Sequence, residues 1–273
     1  MQQVGSNAYA ETEKRGCNFG FVATTEGVVM IDTPQLPRDA ITWRETVAAQ
    51  GPVRYIINTE PHGDHVTGNF FFEGVVIAQG GTRRALDGFS VKDLHERMAL
   101  MDPESVPLLK GYQLKRPAIT FGNRLTLHLG QHTFELVHLP GHTASETAVH
   151  IPEERLLFTG DNIVYRTQPF FHEADPFVWL ESLDKLQTYD VDVIVPGHGA
   201  VCDKQALGEM ATLINDWLQA VRSAMAEGLS REEAARTISL LDRAPMGLGM
   251  EAFGRELQRM NVDRLYDLLS RGR

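Results

Sequence analysis

The sequence predicts an α/β protein, built as a four-layer αββα sandwich in which two mixed β-sheets face each other between layers of helices. Short strand-like runs alternate with helical ones up to about residue 199, and some strand runs follow one another directly. Such interleaving, with meanders as well as βαβ units, favours two sheets covered by helices. Past residue 203 the pattern is helical. We therefore expect a sandwich domain over 1–202 and a C-terminal helical extension over 203–273 that packs on it.

The first half of the predicted sandwich begins with a hairpin. Its arms are the apolar runs 19–23 and 28–32, and Gly27 supplies the turn between them. A helix from about residue 37 ends at Gly51, because glycine adopts a left-handed helix cap at little cost. Three segments complete this half, namely short buried strands at 53–58 and 75–78 and a helical excursion or lid over 82–111.

The second half contains strand runs in quick succession, which predict an antiparallel meander, a strand pair, a helix and a closing strand. The meander is expected at 119–121, 125–129 and 134–139, and the strand pair at 147–151 and 156–159. The helix is expected at 176–188 and the closing strand at 191–195. In the extension, Ser230 and Glu233 form a capping box just after Gly228, which ends the preceding helix. We expect Asn261 to cap the last helix.

Composition excludes several classes of protein. The 273 residues include 36 acidic and 26 basic side chains, and the formal charge of −10 opposes binding to nucleic acid or to anionic lipid. Apolar runs are too short for a membrane span. Cys17 and Cys202 are too few for a disulfide framework and are expected to be small buried side chains. Because the first residues lack the features of a secretory signal, we expect a cytoplasmic protein.

Potential metal ligands cluster after the strand predicted at 53–58. Glu60, His62, Asp64 and His65 lie within six residues, and the intervening Pro and Gly keep the segment in a loop from which these side chains can enter one cavity. This geometry suits two metal ions. Taken alone, the segment could equally be a polar turn that begins a helix, since such spacings are frequent by chance.

Three later strands end in similar turns. Each turn places one ligand-type residue directly after a glycine, and these residues are His142, Asp161 and His198. Glycine permits a sharp exit from a strand, which aims the next side chain across the strand ends, where loop-borne sites lie on a rigid scaffold. Together the four segments predict one metal-binding cavity.

This ordered set of motifs resembles the metallo-β-lactamase superfamily, whose signature is His-x-His-x-Asp-His followed by separate His, Asp and His motifs. The resemblance covers roughly residues 15–200 and implies the metallo-β-lactamase fold, an αββα sandwich. It also implies that position 60, His62 and His142 hold one metal ion. Asp64, His65 and His198 would then hold a second, and Asp161 would bridge the two. Two Zn²⁺ ions are the expected cofactors.

Glu60 departs from the signature, which has histidine at this position. A carboxylate oxygen is an acceptable zinc ligand, but it adds negative charge and makes Mn²⁺ or Fe²⁺ a candidate. If Glu60 points away instead, that site is weak and one metal ion remains. We expect Glu60 to be a ligand.

The resemblance and the ligand set predict a metal-dependent hydrolase, in which a metal-bound hydroxide cleaves a small acyl substrate such as an ester, thioester, lactone or β-lactam. Asp64 would orient the nucleophile and accept its proton, and Asp161 would bridge the metals, so both are expected to be catalytic. Two alternatives stay open. One is an oxidoreductase of the mononuclear-iron sulfur dioxygenase type, and the other is a non-catalytic metal-binding relative.

The segment after Asp161 is expected to overhang the cavity. Its candidate substrate contacts are Tyr165, Phe170, Phe171 and His172. The other histidines are expected at the surface or in satisfied core positions, namely His95, His128, His132, His138 and His150. The partner is therefore predicted to be a small-molecule substrate, with no nucleic acid and no membrane. An amphipathic run over 213–221 packs on the sandwich or forms a homodimer.

Overall fold

A seven-stranded mixed sheet forms one half of the sandwich in this computed structural model, which describes residues 1–272. The strands lie side by side in chain order, antiparallel from β1 to β4 and parallel from β4 to β7. They are β1 (Gln2–Gln3), β2 (Ala8–Glu11), β3 (Phe19–Thr24), β4 (Gly27–Ile31), β5 (Val53–Ile57), β6 (Val75–Gln79) and β7 (Ile119–Phe121). The predicted hairpin is β3 and β4, whereas sequence patterns missed β1 and β2.

A five-stranded mixed sheet forms the other half, in the order β13-β11-β10-β9-β8. Only the pair β11 and β13 is parallel. The predicted antiparallel meander is wrong in its first member, because the run at 119–121 is β7, which pairs parallel with β6, and the chain crosses to the second sheet only after it. The runs predicted at 125–129 and 134–139 form the antiparallel pair β8 and β9. The strands are β8 (Arg124–Leu129), β9 (His132–His138), β10 (Thr147–Ile151), β11 (Leu156–Phe158) and, after the short β12 (Val164–Tyr165), β13 (Val193–Val195). The strand predicted at 191–195 begins two residues later, at Val193.

Helices cover the outer faces of both sheets. On the first sheet lie α1 (Pro37–Ala48) and, after the short α2 (Gly63–Val66) and α3 (Gly80–Ala85), α4 (Val91–Met101). The segment predicted as a helical excursion thus consists of α3, α4 and 3₁₀ turns. On the second sheet lie α5 (Pro176–Leu186), α6 (Gln205–Ala226), α7 (Arg231–Thr237) and α8 (Gly254–Ser270). No helix within residues 1–272 is both long and apolar enough to cross a membrane.

Successive side chains along a strand point to opposite faces of the sheet, so each face carries its own apolar layer. On β3, Phe19 and Phe21 pack with Trp43 of α1, whereas Val22 packs with Phe134 and Phe158 between the sheets. A Cβ at Gly20 would lie 2.8 Å from the ring of Phe158, so the sheets approach closely only because this residue is glycine. The observed order of helices, sheet, sheet and helices confirms the predicted sandwich.

The C-terminal helices share a core with the second sheet. Trp217 and Val221 of α6 and Leu265 of α8 are fully buried, in the same apolar cluster as Trp179 of α5 and Ile194 of β13. The predicted capping box of Ser230 and Glu233 is present at the start of α7, and Gly228 adopts a left-handed conformation (φ 79°) after α6.

The prediction that Asn261 caps the last helix is wrong. Helix α8 begins at Gly254, seven residues earlier, and Asn261 is fully buried in its interior. Its side chain bonds to the backbone of the segment that follows Asp161 and not to the start of its own helix. An asparagine in a helical run looks like a cap in sequence, because its tertiary partner lies about 90 residues away.

Candidate active site

All seven predicted ligand residues meet at one edge of the sandwich. Each follows the carboxyl end of a strand: Glu60, His62, Asp64 and His65 follow β5, and the others follow β9, β11 and β13. His198 itself begins β14 (His198–Gly199), which pairs with β12 and thereby holds this turn in place. The loops therefore deliver side chains from both sheets into one cluster, as the sequence predicted.

The first group within the cluster is Glu60, His62 and His142, whose ligand atoms lie within 4.8 Å of one another. His62 Nδ1 lies 2.7 Å from Glu60 Oε2 and 3.3 Å from His142 Nε2. Glu60 is fully buried and faces the histidines, so its side chain does not point away from the cluster.

The second group is Asp64, His65 and His198, again with ligand atoms within 4.8 Å of one another. Asp64 Oδ2 lies 3.3 Å from His198 Nε2 and 3.9 Å from His65 Nε2. Asp161 lies between the two groups. Its Oδ2 is 3.6 Å from His142 Nε2 in the first group and 3.3 Å from His198 Nε2 in the second.

Outer hydrogen bonds fix which ring nitrogen each histidine presents to the cluster. His65 Nδ1 lies 2.9 Å from Asp32 Oδ2, and His142 Nδ1 lies 2.9 Å from the carbonyl oxygen of Phe170. When these Nδ1–H groups donate, each Nε2 is left with a lone pair directed into the cluster. Such partners orient metal-binding histidines in proteins.

Asp32 follows β4 and is fixed by Thr59, whose backbone N–H donates to Oδ1 and whose hydroxyl donates to Oδ2. Its φ of 53° is left-handed, a conformation that is uncommon outside glycine and often occurs at functional sites. Sequence reasoning missed Asp32. The rule that found the other residues, a polar side chain directly after a strand, applies to it as well.

Glu146 is a second residue that sequence reasoning missed. It is fully buried and accepts the backbone N–H of Asp161 at 2.9 Å and the hydroxyl of Thr143 at 3.0 Å. Burial, together with the nearby Glu60 and Asp161 carboxylates, raises its pKa well above the usual value. A Cβ at Gly160 would overlap Glu146 Oε1, which explains the glycine before Asp161.

The carboxylates of the cluster raise the pKa of neighbouring histidines, so positive charge is stabilised there. Burial would lower the pKa of His62, but the Glu60 carboxylate raises it to about 11. Burial likewise opposes the proton on His198, whose pKa Asp161 and Asp64 raise to about 10. The buried carboxylates of Glu60 and Asp161 and the half-buried one of Asp64 thus hold protons on neighbouring imidazoles, in positions where a metal cation would also neutralise them.

Several buried atoms of the cluster form no well-directed hydrogen bond within residues 1–272, although groups of opposite charge lie close to them. They are both carboxylate oxygens of Glu60, Nε2 of His62 and of His65, and Oδ1 of Asp161. Unpaired buried polar atoms are costly, and native proteins rarely contain several in one place. Nitrogen and oxygen donors in this arrangement fit divalent ions such as zinc. The residues therefore suit the metal pair that the sequence motifs imply.

The cluster opens into a cavity of about 330 Å³. Its floor includes His62, Asp64, His142, Asp161 and His198. Helix α4 supplies one wall through Leu94, Arg97, Met98 and Met101, and the loop before α8 supplies another through Gly247, Leu248 and Met250. The cavity is thus built from both the sandwich and the C-terminal extension.

Two of the four predicted substrate contacts line this cavity, namely Phe170 and His172. His172 stacks on His62 with ring centroids 5.0 Å apart. Phe171 is fully buried and packs on Trp179 and Trp217, so it supports the wall from behind. Tyr165 lies in a separate groove against α6, with the Arg166 guanidinium over its ring. Neighbouring residues face opposite sides of this segment, which its sequence could not reveal.

The remaining histidines and both cysteines lie outside the two predicted ligand groups, although Cys17 Sγ lies within 4.8 Å of ligand atoms of Asp32 and His65. His132 pairs with Glu154 and His150 with Glu135, while His138 bonds to the carbonyl oxygen of Ala144. His128 is exposed and His95 is half-buried on α4. Cys17 is buried beside Asp64, and burial raises its thiol pKa, as expected for an unreactive side chain.

Comparison with known proteins connects this site to a family. The sequence model of the metallo-beta-lactamase superfamily matches residues 12–198, which contain every residue of the cluster. The linear primary-alkylsulfatase of a Pseudomonas species is 24% identical over 263 residues, covering 80% of this chain and 49% of that protein. Atrochrysone carboxyl ACP thioesterase AgnL7 of Paecilomyces divaricatus is 29% identical over 209 residues, covering 74% of this chain and 55% of that protein. The chain therefore spans about half the length of these relatives.

Solved structures are similar over nearly the whole chain. A metallo-beta-lactamase family protein of Thermus thermophilus superposes with a TM-score of 0.69, at 18% identity, over 97% of this chain and 94% of that one. At this identity the likeness establishes the fold.

Proposed function

The chain belongs to the metallo-beta-lactamase superfamily, and from this premise we propose that it is a metal-dependent hydrolase of small acyl compounds. The observation that carries the proposal is the position of Asp161 between two ligand groups, with Oδ2 3.6 Å from His142 Nε2 and 3.3 Å from His198 Nε2. A carboxylate so placed is suited to join two metal ions. A relative that is a thioesterase supports acyl transfer to water as the reaction.

In this proposal Glu60, His62 and His142 hold one ion, and Asp64, His65 and His198 hold the other. Bound zinc ions would supply Lewis acidity to the substrate carbonyl and would make water nucleophilic near neutral pH. The donors of these two groups are imidazole nitrogens and carboxylate oxygens, which fit zinc, and Glu60 keeps Mn²⁺ or Fe²⁺ as candidates.

Two carboxylates of the chain, Asp64 and Asp161, are ionised beside the position of the attacking water. Asp64 lines the cavity, and its Oδ2 is directed toward His198 at the floor. Burial would raise the pKa of Asp64, but His65 and His198 depress it below its usual range, so the group is ionised and can accept a hydrogen bond from the attacking water. Asp161 is likewise ionised, because His198 and His65 outweigh its burial. Glu146 holds the backbone N–H of Asp161 and so positions it.

The test is a metal analysis of the full chain purified without chelators, followed by turnover of esters, thioesters, lactones and β-lactams. We expect two zinc ions per chain and hydrolysis of at least one acyl class. Asp161→Ala and His142→Ala should each abolish turnover and lower the bound metal while the circular dichroism spectrum stays unchanged. His128→Ala is the matched control, because His128 is exposed and remote from the cluster.

Three results would overturn the proposal. Stoichiometric iron with oxygen consumption on a persulfide, and no acyl hydrolysis, would assign the chain to the dioxygenase alternative. Full activity in Asp161→Ala would remove the proposed role of the bridging carboxylate. Metal binding without turnover of any acyl class would indicate a non-catalytic relative.

A further inference from the structure

The cavity above the metal ligands contains two cationic side chains that no acidic group neutralises. Arg15 precedes β3, Arg97 lies on α4, and both line the cavity. Within residues 1–272 neither forms an ion pair, although the chain carries ten more acidic than basic side chains. Other Lys and Arg side chains do form ion pairs, for example Arg38 with Asp102 and Lys14 with Asp39, but Arg15 and Arg97 are distinguished by facing the same cavity. Two unpaired arginines that line one cavity above the candidate metal site are suited to bind an anion that is not part of the chain.

Arg15 is held in place, but most of the hydrogen-bonding capacity of its guanidinium group is unused. Its stem runs along Gly249, where a Cβ would lie 3.4 Å from Cδ of the arginine, and its Nη2 lies 3.9 Å from Sδ of Met250. Its Nε is buried and has no hydrogen-bond partner within the described residues. A thioether is a weak acceptor, so a guanidinium in this position retains most of its capacity to bind a carboxylate, sulfonate or phosphate oxygen.

Much of the remaining wall is apolar and adaptable, although Gln35, Thr67, Thr167 and Gln168 also line the cavity. Six side chains supply it from α4, from the segment after β12 and from the loop before α8, namely Leu94, Met98, Met101, Phe170, Leu248 and Met250. Methionine side chains are flexible and polarisable, and they accommodate ligands of varied shape. The carboxylates that line the cavity, Asp64 and Asp161, are those assigned to metal. With ions bound, the free charges on the lining are therefore the two guanidinium groups.

We propose that the substrate is an amphiphilic acyl compound, whose apolar segment lies along the methionine-rich wall and whose far end carries an anionic group bound by Arg15 and Arg97. This inference rests on the proposed function. The reaction is RC(=O)–XR′ + H₂O → RCOO⁻ + R′XH + H⁺, in which the acyl C–X bond breaks, a C–O bond forms to the oxygen of water, and no electron is transferred.

The first arm of the test compares two esters that differ only at the far end, mono(4-nitrophenyl) suberate and 4-nitrophenyl octanoate, with the zinc-loaded full chain. We expect the anionic ester to have the higher kcat/KM. Arg15→Met and Arg97→Met should each lower the ratio of the two kcat/KM values about tenfold, mainly through KM, since a hydrogen bond to a charged group is lost. Arg222→Met, at an exposed position on α6, should keep the wild-type ratio.

The second arm measures binding without turnover. Calorimetric titration with 1-octanesulfonate, whose sulfonate is a poor metal ligand, should show binding that weakens about tenfold in Arg15→Met and Arg97→Met and not in Arg222→Met. Arg97→Lys, which restores a cation, should recover part of the loss seen in Arg97→Met.

The two arms separate failure of the anion site from failure of the proposed function. If the esters are hydrolysed but neither arginine variant changes the ester ratio or sulfonate binding, the anion site is refuted while hydrolysis stands. If neither ester nor any other acyl compound is hydrolysed but sulfonate binding still depends on both arginines, the anion site stands and the acyl reaction is refuted.

Discussion

Asn261 Oδ1, in the middle of the last helix, accepts the backbone N–H of Phe171 at 2.9 Å. Its Nδ2 donates to the carbonyl oxygen of Pro169 at 2.8 Å. Between these two residues, the carbonyl oxygen of Phe170 lies 2.9 Å from Nδ1 of His142. One fully buried asparagine of the C-terminal extension therefore positions a backbone segment that forms a cavity wall and also orients a predicted metal ligand.

Replacing Asn261 by alanine should therefore affect both stability and the site. The change leaves a buried N–H and a buried carbonyl without partners, and we expect the free energy of unfolding to fall by about 2–4 kcal/mol. Because the backbone at Phe170 would be held less firmly, we also expect KM to rise and metal binding to weaken. Chemical denaturation, steady-state kinetics and metal titration measure these effects. Arg255→Ala, on the exposed face of the same helix, is the control; an equal loss of stability in that variant would refute a specific role for Asn261.

Asp32 should control metal affinity without being a ligand. Its Oδ2 lies 2.9 Å from His65 Nδ1, and its replacement by asparagine removes the charge that holds this tautomer. Since outer partners of metal-binding histidines typically contribute 10–100-fold in affinity, we expect Asp32→Asn to weaken zinc binding by about that factor. Competition with a chromogenic chelator measures the affinity. Unchanged affinity, equal to that of the exposed control Asp242→Asn, would contradict the role.

The residues that support the cluster show where sequence reasoning reaches its limit. The fold class and the cluster were predictable, because strand periodicity, and glycine turns that carry His142, Asp161 and His198, are local signals. Asp32 follows a strand end as the ligands do, but it and Glu146 act through contacts across the cluster, and neither has a second ligand-type residue beside it in the sequence. The roles of Phe170 and Phe171 differ only because one faces the cavity and the other faces Trp179, which is a tertiary outcome.

Glu60 can be tested by two substitutions with opposite expected effects. Glu60→Gln keeps the shape but removes the charge, so we expect the bound zinc to fall from two ions to one per chain and turnover to fall with it. Glu60→His supplies the imidazole that the superfamily signature has here and should bind zinc more tightly than the wild type. Metal content after gel filtration gives both answers. If neither variant differs from the wild type in zinc content or affinity, Glu60 is not a ligand.

Glu154 should govern the acid stability of the fold far from the active site. Its Oε1 lies 2.7 Å from Nε2 of His132, and the backbone N–H and side-chain amide of Asn7 donate to it at 3.2 and 3.1 Å, which fixes the N-terminal strands to the second sheet. Burial alone would raise its pKa, but the bonds from His132, Asn7 and Ser6 hold the pKa of Glu154 below its usual value.

A carboxyl group with a lowered pKa in the folded state stabilises the fold above its unfolded-state pKa of about 4.3, and that contribution is lost as the pH falls through the folded-state value. We therefore expect Glu154→Gln to lower the free energy of unfolding by about 1–3 kcal/mol at pH 7. The difference from the wild type should shrink steadily below pH 4, because protonation removes the same charge that the substitution removes. Urea denaturation from pH 7 to pH 3 measures it, with the exposed Glu26→Gln as control. A difference that stays constant over this pH range would show that the Glu154 charge is not what fixes the N-terminal strands.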